Sequence, residues 1–288
     1  MLGVPAPLIT SYRMHVTKKE YRPGSALAPY LKERKSKSRQ STLVPWLCDN
    51  GKALLEREEG ALALGRKMTK RLPQLQVALD HSDLQGAISA AVAVGQEVDV
   101  IEAGTVCLLQ VGSQLVQVLR SLFPEKIIVA DTKCADAGGT VARNNAAQGA
   151  DWMTCICCAT IPTMAAALKA IKEERGDRGE IQIELYGDWT FEQAQAWLDA
   201  GISQAIYHQS RDALLAGDSW GEKDLNKVKQ LIDMGFRVSV TGGLSTDTLQ
   251  LFAGVDVFTF IAGRGITEAP DPAAAARAFK AEIKRIWG

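Results

Sequence analysis

The chain has 288 residues with 33 basic and 33 acidic side chains, and 47% of its residues are hydrophobic. This composition is typical of a globular protein, and no apolar run approaches the length of a membrane span. Residues 1–72 hold 15 basic against 6 acidic side chains and the remainder 18 against 27, so the acidic main part argues against nucleic-acid binding.

Residues 1–71 show no sustained helical or strand period, and residues 32–39 form a charged run that favours disorder. We interpret residues 1–71 as a poorly structured basic N-terminal extension and residues 72–288 as one domain. One interpretation of the extension is a basic arm that binds nucleic acid or an acidic partner. The other, which we favour, is a dispensable or mistranslated leader ahead of Met68.

The cysteine pattern indicates a reducing compartment. Three of the six cysteines fall in the apolar run 152–158, where neighbouring side chains face opposite sides of a strand and do not present metal ligands together. No signal-peptide core occurs. We therefore expect free buried thiols and a cytoplasmic protein.

Strand and helix patterns alternate eight times from residue 72 onward. The predicted strands cover residues 74–80, 98–104, 126–130, 152–158, 180–186, 204–208, 237–243 and 257–264. The predicted helices cover residues 84–94, 114–122, 140–148, 162–174, 191–200, 225–234, 246–252 and 273–286. Eight such units predict an α/β fold, a (β/α)₈ TIM barrel. The alternative, an open doubly wound sheet, would carry a glycine-rich turn after its first strand, and residues 80–83 are no such turn.

Polar residues stand at the carboxyl ends of seven predicted strands, where barrel active sites form. They are Asp80, Glu102, Asp131, Lys133, Glu184, His208, Thr241 and Arg264. Alternation places Asp80 on one face with Gln76 and Ala78, and it places Glu184 on one face with Gln182. We therefore expect this set to line the barrel.

Glu102 and Asp131 end neighbouring predicted strands, which lie about 4.8 Å apart. A hard divalent cation would remove the repulsion between the two carboxylates, and Mg²⁺ suits oxygen ligands. In the alternative, Lys133 neutralises them without metal. Asp131 and Lys133 are two residues apart, so their side chains point to the same face of the strand, which also fits a salt bridge at the strand end. Asp136 lies beyond the strand end, in a loop.

Glycines follow the seventh and eighth strands, in 241–243 and 262–265, with Arg264 among them. Barrels often bind phosphate at these two strands, although glycine is also the default residue of tight turns. His208, with Arg211 three residues later, is a candidate proton donor. Trp189 and Trp220 lie in loops on the same rim and are interpreted as packing residues.

Seven segments resemble 3-keto-L-gulonate 6-phosphate decarboxylase, of the orotidine monophosphate decarboxylase superfamily. They are residues 78–80, 101–105, 130–138, 181–185, 207–212, 240–243 and 260–264. The resemblance covers essentially all of residues 72–288. Its Asp-x-Lys-x-x-Asp motif, residues 131–136, is superfamily-wide and does not by itself name the reaction.

The resemblance implies Mg²⁺-dependent decarboxylation of 3-keto-L-gulonate 6-phosphate to L-xylulose 5-phosphate and CO₂ through an enediolate, in L-ascorbate or related sugar-acid catabolism. It implies a homodimer with shared active sites, a sugar-phosphate substrate and no membrane partner. The implied metal ligands are Glu102 and Asp131, and the implied catalytic residues are Lys133, Asp136, Glu184, His208 and Arg211. The implied substrate-binding residues are Asp80, Thr241, Gly242, Gly243, Gly263 and Arg264.

Two other functions remain open. Hexulose-6-phosphate synthase shares the scaffold, but its pattern tends to carry Asp, Val and Ala where this chain has Glu184, Arg211 and Thr241. A non-catalytic sugar-phosphate-binding barrel would be expected to have lost a metal carboxylate or the lysine, and both are present. Gln209 departs from the decarboxylase pattern, which has a basic residue there.

Overall fold

The computed structural model describes residues 71–288, so the interpretation of the N-terminal extension concerns residues that lie almost wholly outside the described part. Eight parallel strands close into a barrel in chain order, with β1 paired to both β2 and β8. They are β1 Gln74–Leu79, β2 Val100–Ala103, β3 Ile127–Cys134, β4 Trp152–Ile156, β5 Glu180–Leu185, β6 Gln204–His208, β7 Arg237–Thr241 and β8 Thr259–Ala262. The predicted TIM barrel is confirmed.

The helices form the layer outside the strands. They are α1 Leu84–Val94, α2 Thr105–Val111, α3 Gln114–Leu122, α4 Gly138–Ala147, α5 Ile161–Arg175, α6 Phe191–Asp199, α7 Arg211–Leu215, α8 Glu222–Asp233, α9 Thr246–Leu249, α10 Arg264–Thr267 and α11 Pro272–Trp287. Three short helices, α2, α7 and α10, were not predicted. Each begins one to three residues after a strand, so each projects from the carboxyl end of the barrel.

Alternation along the strands divides the side chains between two cores. Leu75, Val77 and Leu79 of β1 are fully buried and belong to the large cluster beneath the helices. Ala78 faces inward and packs with Ile206 and Ile261. Because the outer face of each strand is covered by helices, the polar side chains of the inner face converge on the barrel axis.

Buried polar residues hold the opposite end of the barrel together. Asp151, just before β4, is fully buried and accepts a hydrogen bond from the backbone N–H of Ile128 at 3.1 Å. Its carboxylate also pairs with Arg120, with Arg175 at 2.8 Å and with Arg178 at 3.1 Å. Burial alone would raise the pKa of Asp151, but the three guanidinium groups and the backbone hydrogen bond hold that pKa below its usual value.

Two further expectations concern the described residues. Cys107, Cys134, Cys155 and Cys157 are buried free thiols, as predicted, whereas Cys158 is an exposed one. Within residues 71–288, no helix combines the length and apolarity needed to cross a bilayer.

We predict that Asp151→Asn lowers the free energy of unfolding by about 3–5 kcal/mol, because it removes the fully buried carboxylate that three partly exposed guanidinium groups share. Urea denaturation of the full chain measures this change. Glu97→Gln, which removes an exposed ion pair to Arg277, is the matched control and should cost no more than about 1 kcal/mol. Equal losses of unfolding free energy in Asp151→Asn and Glu97→Gln would contradict the stabilising role of Asp151.

The same carboxyl should contribute to acid sensitivity. Because the folded-state pKa of Asp151 is depressed, its stabilisation is fully present above the unfolded value, about 3.9, and is lost as pH falls through the folded value. The difference in unfolding free energy between wild type and Asp151→Asn should therefore shrink below about pH 4.

Candidate active site

Two buried carboxylates stand on neighbouring strands at the carboxyl end of the barrel. Glu102 on β2 is 6% exposed and Asp131 on β3 is 5% exposed. Gln76, on the inner face of β1, donates a hydrogen bond from Nε2 to Glu102 Oε2. Burial raises the pKa of Glu102 well above its usual value, and the nearby carboxylates of Asp131 and Asp80 raise it further. Ionising Glu102 beside these carboxylates is therefore costly unless a cation offsets the repulsion.

Asp131 is held in its ionised form by donors from three neighbours. Thr154 Oγ1 donates to Oδ1 at 2.8 Å, and Thr105 Oγ1 donates to Oδ2 at 2.6 Å. Lys133 Nζ lies 2.6 Å from the same Oδ2. Burial by itself would raise the pKa of Asp131, but the ammonium group and these hydrogen bonds reverse the effect and lower that pKa.

Lys133 connects two acidic residues across the barrel mouth. Its Nζ lies 3.1 Å from Glu184 Oε2 on β5, in addition to its contact with Asp131. Burial disfavours the charged amine, yet the carboxylates of Asp131, Glu184 and Glu102 outweigh burial and raise the pKa of Lys133 above its usual value. Lys133 therefore remains a cation.

The backbone at Lys133 departs from a regular strand. Its φ is +45°, and the register of β3 against β4 shifts between Ala130 and Cys134. A positive φ is unfavourable for a residue with a Cβ and costs on the order of 1 kcal/mol. The N–H of Lys133 donates to Thr154 Oγ1 at 2.9 Å, which holds this conformation. Asp131 and Lys133 do meet as expected, but simple strand alternation was an incomplete reason for it.

His208, Glu184 and Tyr186 form a triangle of polar atoms. His208 Nδ1 lies 2.7 Å from Glu184 Oε1 and 2.7 Å from the Tyr186 hydroxyl, which donates to Glu184 Oε1 at 3.0 Å. The two rings pack with centroids 4.6 Å apart. Burial and the Glu184 carboxylate raise the pKa of Tyr186, so its hydroxyl keeps its proton.

This triangle determines which nitrogen of His208 carries the proton. An unprotonated Nδ1 would place a lone pair 2.7 Å from the carboxylate oxygen of Glu184, which is repulsive. A proton on Nδ1 instead gives a hydrogen bond to Glu184. Nε2, which has no hydrogen-bond partner among the described residues, is therefore the atom that can exchange a proton with a substrate.

Three charged residues of the predicted site are exposed at the rim. Asp80 follows β1, and its Oδ1 accepts a weak hydrogen bond from the N–H of Val106 at 3.4 Å. Arg211 is the first residue of α7, and Asp136 lies in the loop before α4. Neither of these two side chains makes a hydrogen bond or ion pair within residues 71–288, so both are available to a ligand or partner.

The glycines after β7 and β8 form open turns at the same rim. Gly242 has φ +107° and Gly243 has φ +62°, values that favour glycine. Thr241 donates its hydroxyl to the carbonyl oxygen of Ile261 at 3.1 Å, which joins β7 to β8. Gly263 and the exposed Arg264 begin α10 beside them.

The structure thus connects Asp131, Lys133, Glu184 and His208 through ion pairs and hydrogen bonds, with Glu102 beside this group and the rim residues around it. Sequence reasoning placed Gln76 on the inner face without giving it a role, and it missed three contributors, namely Thr105, Thr154 and Tyr186. Alternation could have found two of them, because Thr154 shares the inner face of β4 and Tyr186 lies two residues after Glu184. Thr105 offers no such signal, since its contact with Asp131 depends on α2.

The donor set of this group fits Mg²⁺. In the part of the chain that the structure describes, no three His, Cys, Asp or Glu side chains form a complete ligand set. Mg²⁺ does not require one, because it usually keeps several waters and is bound by one or two carboxylates together with substrate oxygens. Glu102 and Asp131 repel each other, and only Oε2 of Glu102 has a hydrogen-bond donor within the described barrel, which leaves Oε1 for a cation.

Comparisons with known proteins agree with this geometry. The Orotidine 5'-phosphate decarboxylase / HUMPS family model matches residues 73–279. The chain is 50% identical over 217 residues to 3-keto-L-gulonate-6-phosphate decarboxylase UlaD of Salmonella paratyphi B, covering 75% of this chain and 99% of that protein.

Two solved structures are similar to this chain over the same region. KGPDC from Streptococcus mutans in complex with D-R5P is 83% identical, with a TM-score of 0.75, and the match covers 76% of this chain and all of that one. The 3-hexulose-6-phosphate synthase of Salmonella typhimurium is 26% identical, with a TM-score of 0.68, covering 74% of this chain and 99% of that one.

We predict that the neutral ring of His208 carries its proton on Nδ1. Long-range ¹H–¹⁵N correlation spectra at alkaline pH distinguish the two nitrogens, and His208→Asn identifies the signals of this ring among three histidines. A protonated Nδ1 and a lone pair on Nε2 are expected, because Glu184 accepts the Nδ1 proton. A ring protonated on Nε2 would contradict this arrangement.

Proposed function

Because the chain belongs to the Orotidine 5'-phosphate decarboxylase / HUMPS family, we propose that it decarboxylates 3-keto-L-gulonate 6-phosphate to L-xylulose 5-phosphate and CO₂. The observation that carries this proposal is the contact of Lys133 with both Asp131 and Glu184, beside Glu102. Such a group presents one fixed cation to an oxygen that becomes negative during the reaction. The relatives at 50% and 83% identity support the same reaction class, that of a carboxy-lyase.

The chemistry follows from the β-keto acid. When the bond to the carboxylate breaks, its electron pair moves into the neighbouring ketone and gives an enediolate. Glu102 and Asp131 would hold Mg²⁺, which as a Lewis acid stabilises negative charge on the substrate oxygens. Lys133 adds its own positive charge, which Asp131 and Glu184 keep in place.

The remaining residues complete the reaction. Protonation of carbon requires an acid, and His208 can donate from Nε2 while Glu184 holds its Nδ1. A general acid held in such a position accelerates the reaction by a factor of about 10²–10⁴. Gly242, Gly243, Gly263 and Arg264 would bind the phosphate through backbone N–H groups and the guanidinium, with Thr241 and Asp80 at the sugar. Arg211 would position the proton or water.

Hexulose-6-phosphate synthase is the second candidate, because it shares the scaffold and the enediolate. Its structure is 26% identical to this chain, against 83% for KGPDC from Streptococcus mutans. The identities of Glu184, Arg211 and Thr241 also favour the decarboxylase. The expectations of a cytoplasmic location and of a role in L-ascorbate catabolism stay predictions.

We propose that the active unit is a homodimer with shared sites. Asp136 is exposed and its side chain has no partner within the described residues. A groove of about 320 Å³ opens beside Asp131, lined in part by Leu108 and Leu109, and Leu109 is 80% exposed. An apolar groove next to an acidic site is suited to a second copy of the barrel, which would bring its own Asp136 to this site.

We predict that CO₂ release from 3-keto-L-gulonate 6-phosphate requires Mg²⁺, stops on chelation and returns when Mg²⁺ is restored. Glu102→Gln should lower kcat/KM by about 100-fold or more, since Lewis-acid stabilisation supplies several kcal/mol. Glu125→Gln, an exposed carboxylate after α3, is the control. Release of CO₂ without a metal ion would refute the assignment of Glu102 and Asp131 as metal ligands. Condensation of formaldehyde with ribulose 5-phosphate as the sole activity would favour the synthase.

We predict that subunits with different lesions complement each other. Lys133→Met and Asp136→Asn should each be inactive, whereas the purified heterodimer of the two should recover about half of wild-type activity per dimer, because one of its two sites has both residues intact. Co-expression with two affinity tags provides this heterodimer. An inactive heterodimer would place Asp136 in the site of its own subunit.

A further inference from the structure

The glycine turn after β7 carries two backbone donors with no acceptor. Within residues 71–288, neither the N–H of Gly242 nor that of Gly243 donates a hydrogen bond. A Cβ at Gly242 would collide with the carbonyl oxygen of Gln209, and one at Gly243 would approach Leu214 at 3.0 Å. The turn therefore packs on one side against Gln209 and α7, and its free N–H groups are suited to an anion.

Trp220, at the far end of that loop, contacts the same turn. Its indole Nε1 donates a hydrogen bond to the carbonyl oxygen of Gly242 at 2.8 Å. The ring packs edge-on against Phe252 with centroids 5.0 Å apart, and against Tyr207 at 5.9 Å. Because Phe252 and Tyr207 are buried, the position of the indole is fixed. The interpretation of Trp220 as a packing residue alone was incomplete.

This hydrogen bond fixes a peptide plane. The carbonyl of Gly242 and the N–H of Gly243 belong to one peptide unit, which is planar and trans, so the two groups point in opposite directions. When Trp220 holds the carbonyl, the N–H of Gly243 is held pointing away from the indole. A glycine at φ +107° could otherwise rotate this peptide with little steric resistance.

We propose that Trp220 is a positioning residue that orients the 242–243 peptide so that the N–H of Gly243 faces the phosphate of the substrate. This inference rests on the proposed function, since it takes the turn as the phosphate site. Trp220 does not touch the substrate and acts through the Gly242 carbonyl. Its effect is on binding, because the oriented N–H serves the bound substrate and the transition state alike.

The test replaces the hydrogen-bonding ring by one that only packs. Trp220→Phe should raise KM about fivefold with kcat within twofold of wild type, the expected loss for one hydrogen bond made equally in ground and transition states. The dissociation constant of D-ribose 5-phosphate, measured by calorimetry, should rise by the same factor. Trp189→Phe is the matched control, because Trp189 lies on the same rim and packs against Phe191 and Trp197 without a hydrogen bond in the described barrel.

The outcomes separate a positioning role from a structural one. A lower kcat with an unchanged KM in Trp220→Phe would indicate a smaller folded fraction and would overturn the proposal. Equal changes of KM in Trp220→Phe and Trp189→Phe, or no change of KM in either variant, would also overturn it. Calorimetry does not depend on turnover. If the chain fails to decarboxylate its substrate but Trp220→Phe alone weakens D-ribose 5-phosphate binding, the reaction is wrong and the role of Trp220 is supported.

Discussion

The ammonium group of Lys133, held between Asp131 and Glu184, is the interaction on which the rest of the site depends. It joins β3 to β5 across the barrel mouth, so two strands that do not pair share one charge. Each partner is itself fixed: Asp131 by Thr105 and Thr154, and Glu184 by His208 and Tyr186. A buried charge network of this kind is costly unless every member has a partner. The same contacts that satisfy Lys133 therefore place His208, the proposed acid, and Asp131, a proposed metal ligand, in one group.

The balance of positive and negative charge differs between the two ends of the barrel. At the end opposite the site, one carboxylate, Asp151, is surrounded by three guanidinium groups, and positive charge is in excess. At the site, one ammonium contacts the carboxylates of Asp131 and Glu184, and those of Glu102 and Asp80 lie nearby. The first arrangement stabilises the fold without any ligand. The second leaves negative charge that a divalent cation can balance. Burial is the main reason why the pKa of Glu102 is raised, and the neighbouring carboxylates raise it further although a cation lies nearby.

The sequence was sufficient for the architecture because strand alternation and helix period are local signals. The inner and outer faces of β1, the neighbouring positions of Glu102 and Asp131, and the placement of Glu184 and His208 all follow from the period of two. Short helices carry weaker signals: α2 begins after Gly104, which has no side chain to cap it, and α10 has four residues. The positive φ of Lys133 has no signature either, since a lysine there gives no hint that Thr154 holds its backbone. Contacts such as that of Trp220 with Gly242 join residues far apart in the chain and become visible only in the fold.

The account requires that Glu102 and Asp131 together hold a cation because their charge exceeds what Lys133 neutralises. Titration of the protein with Mn²⁺, followed by the loss of the free-ion electron paramagnetic resonance signal, measures this directly. We expect a single Mn²⁺ site per barrel in the wild type and no saturable binding in Glu102→Gln. Binding of equal strength and stoichiometry in the two proteins would contradict the assignment of the metal site and, with it, the central claim.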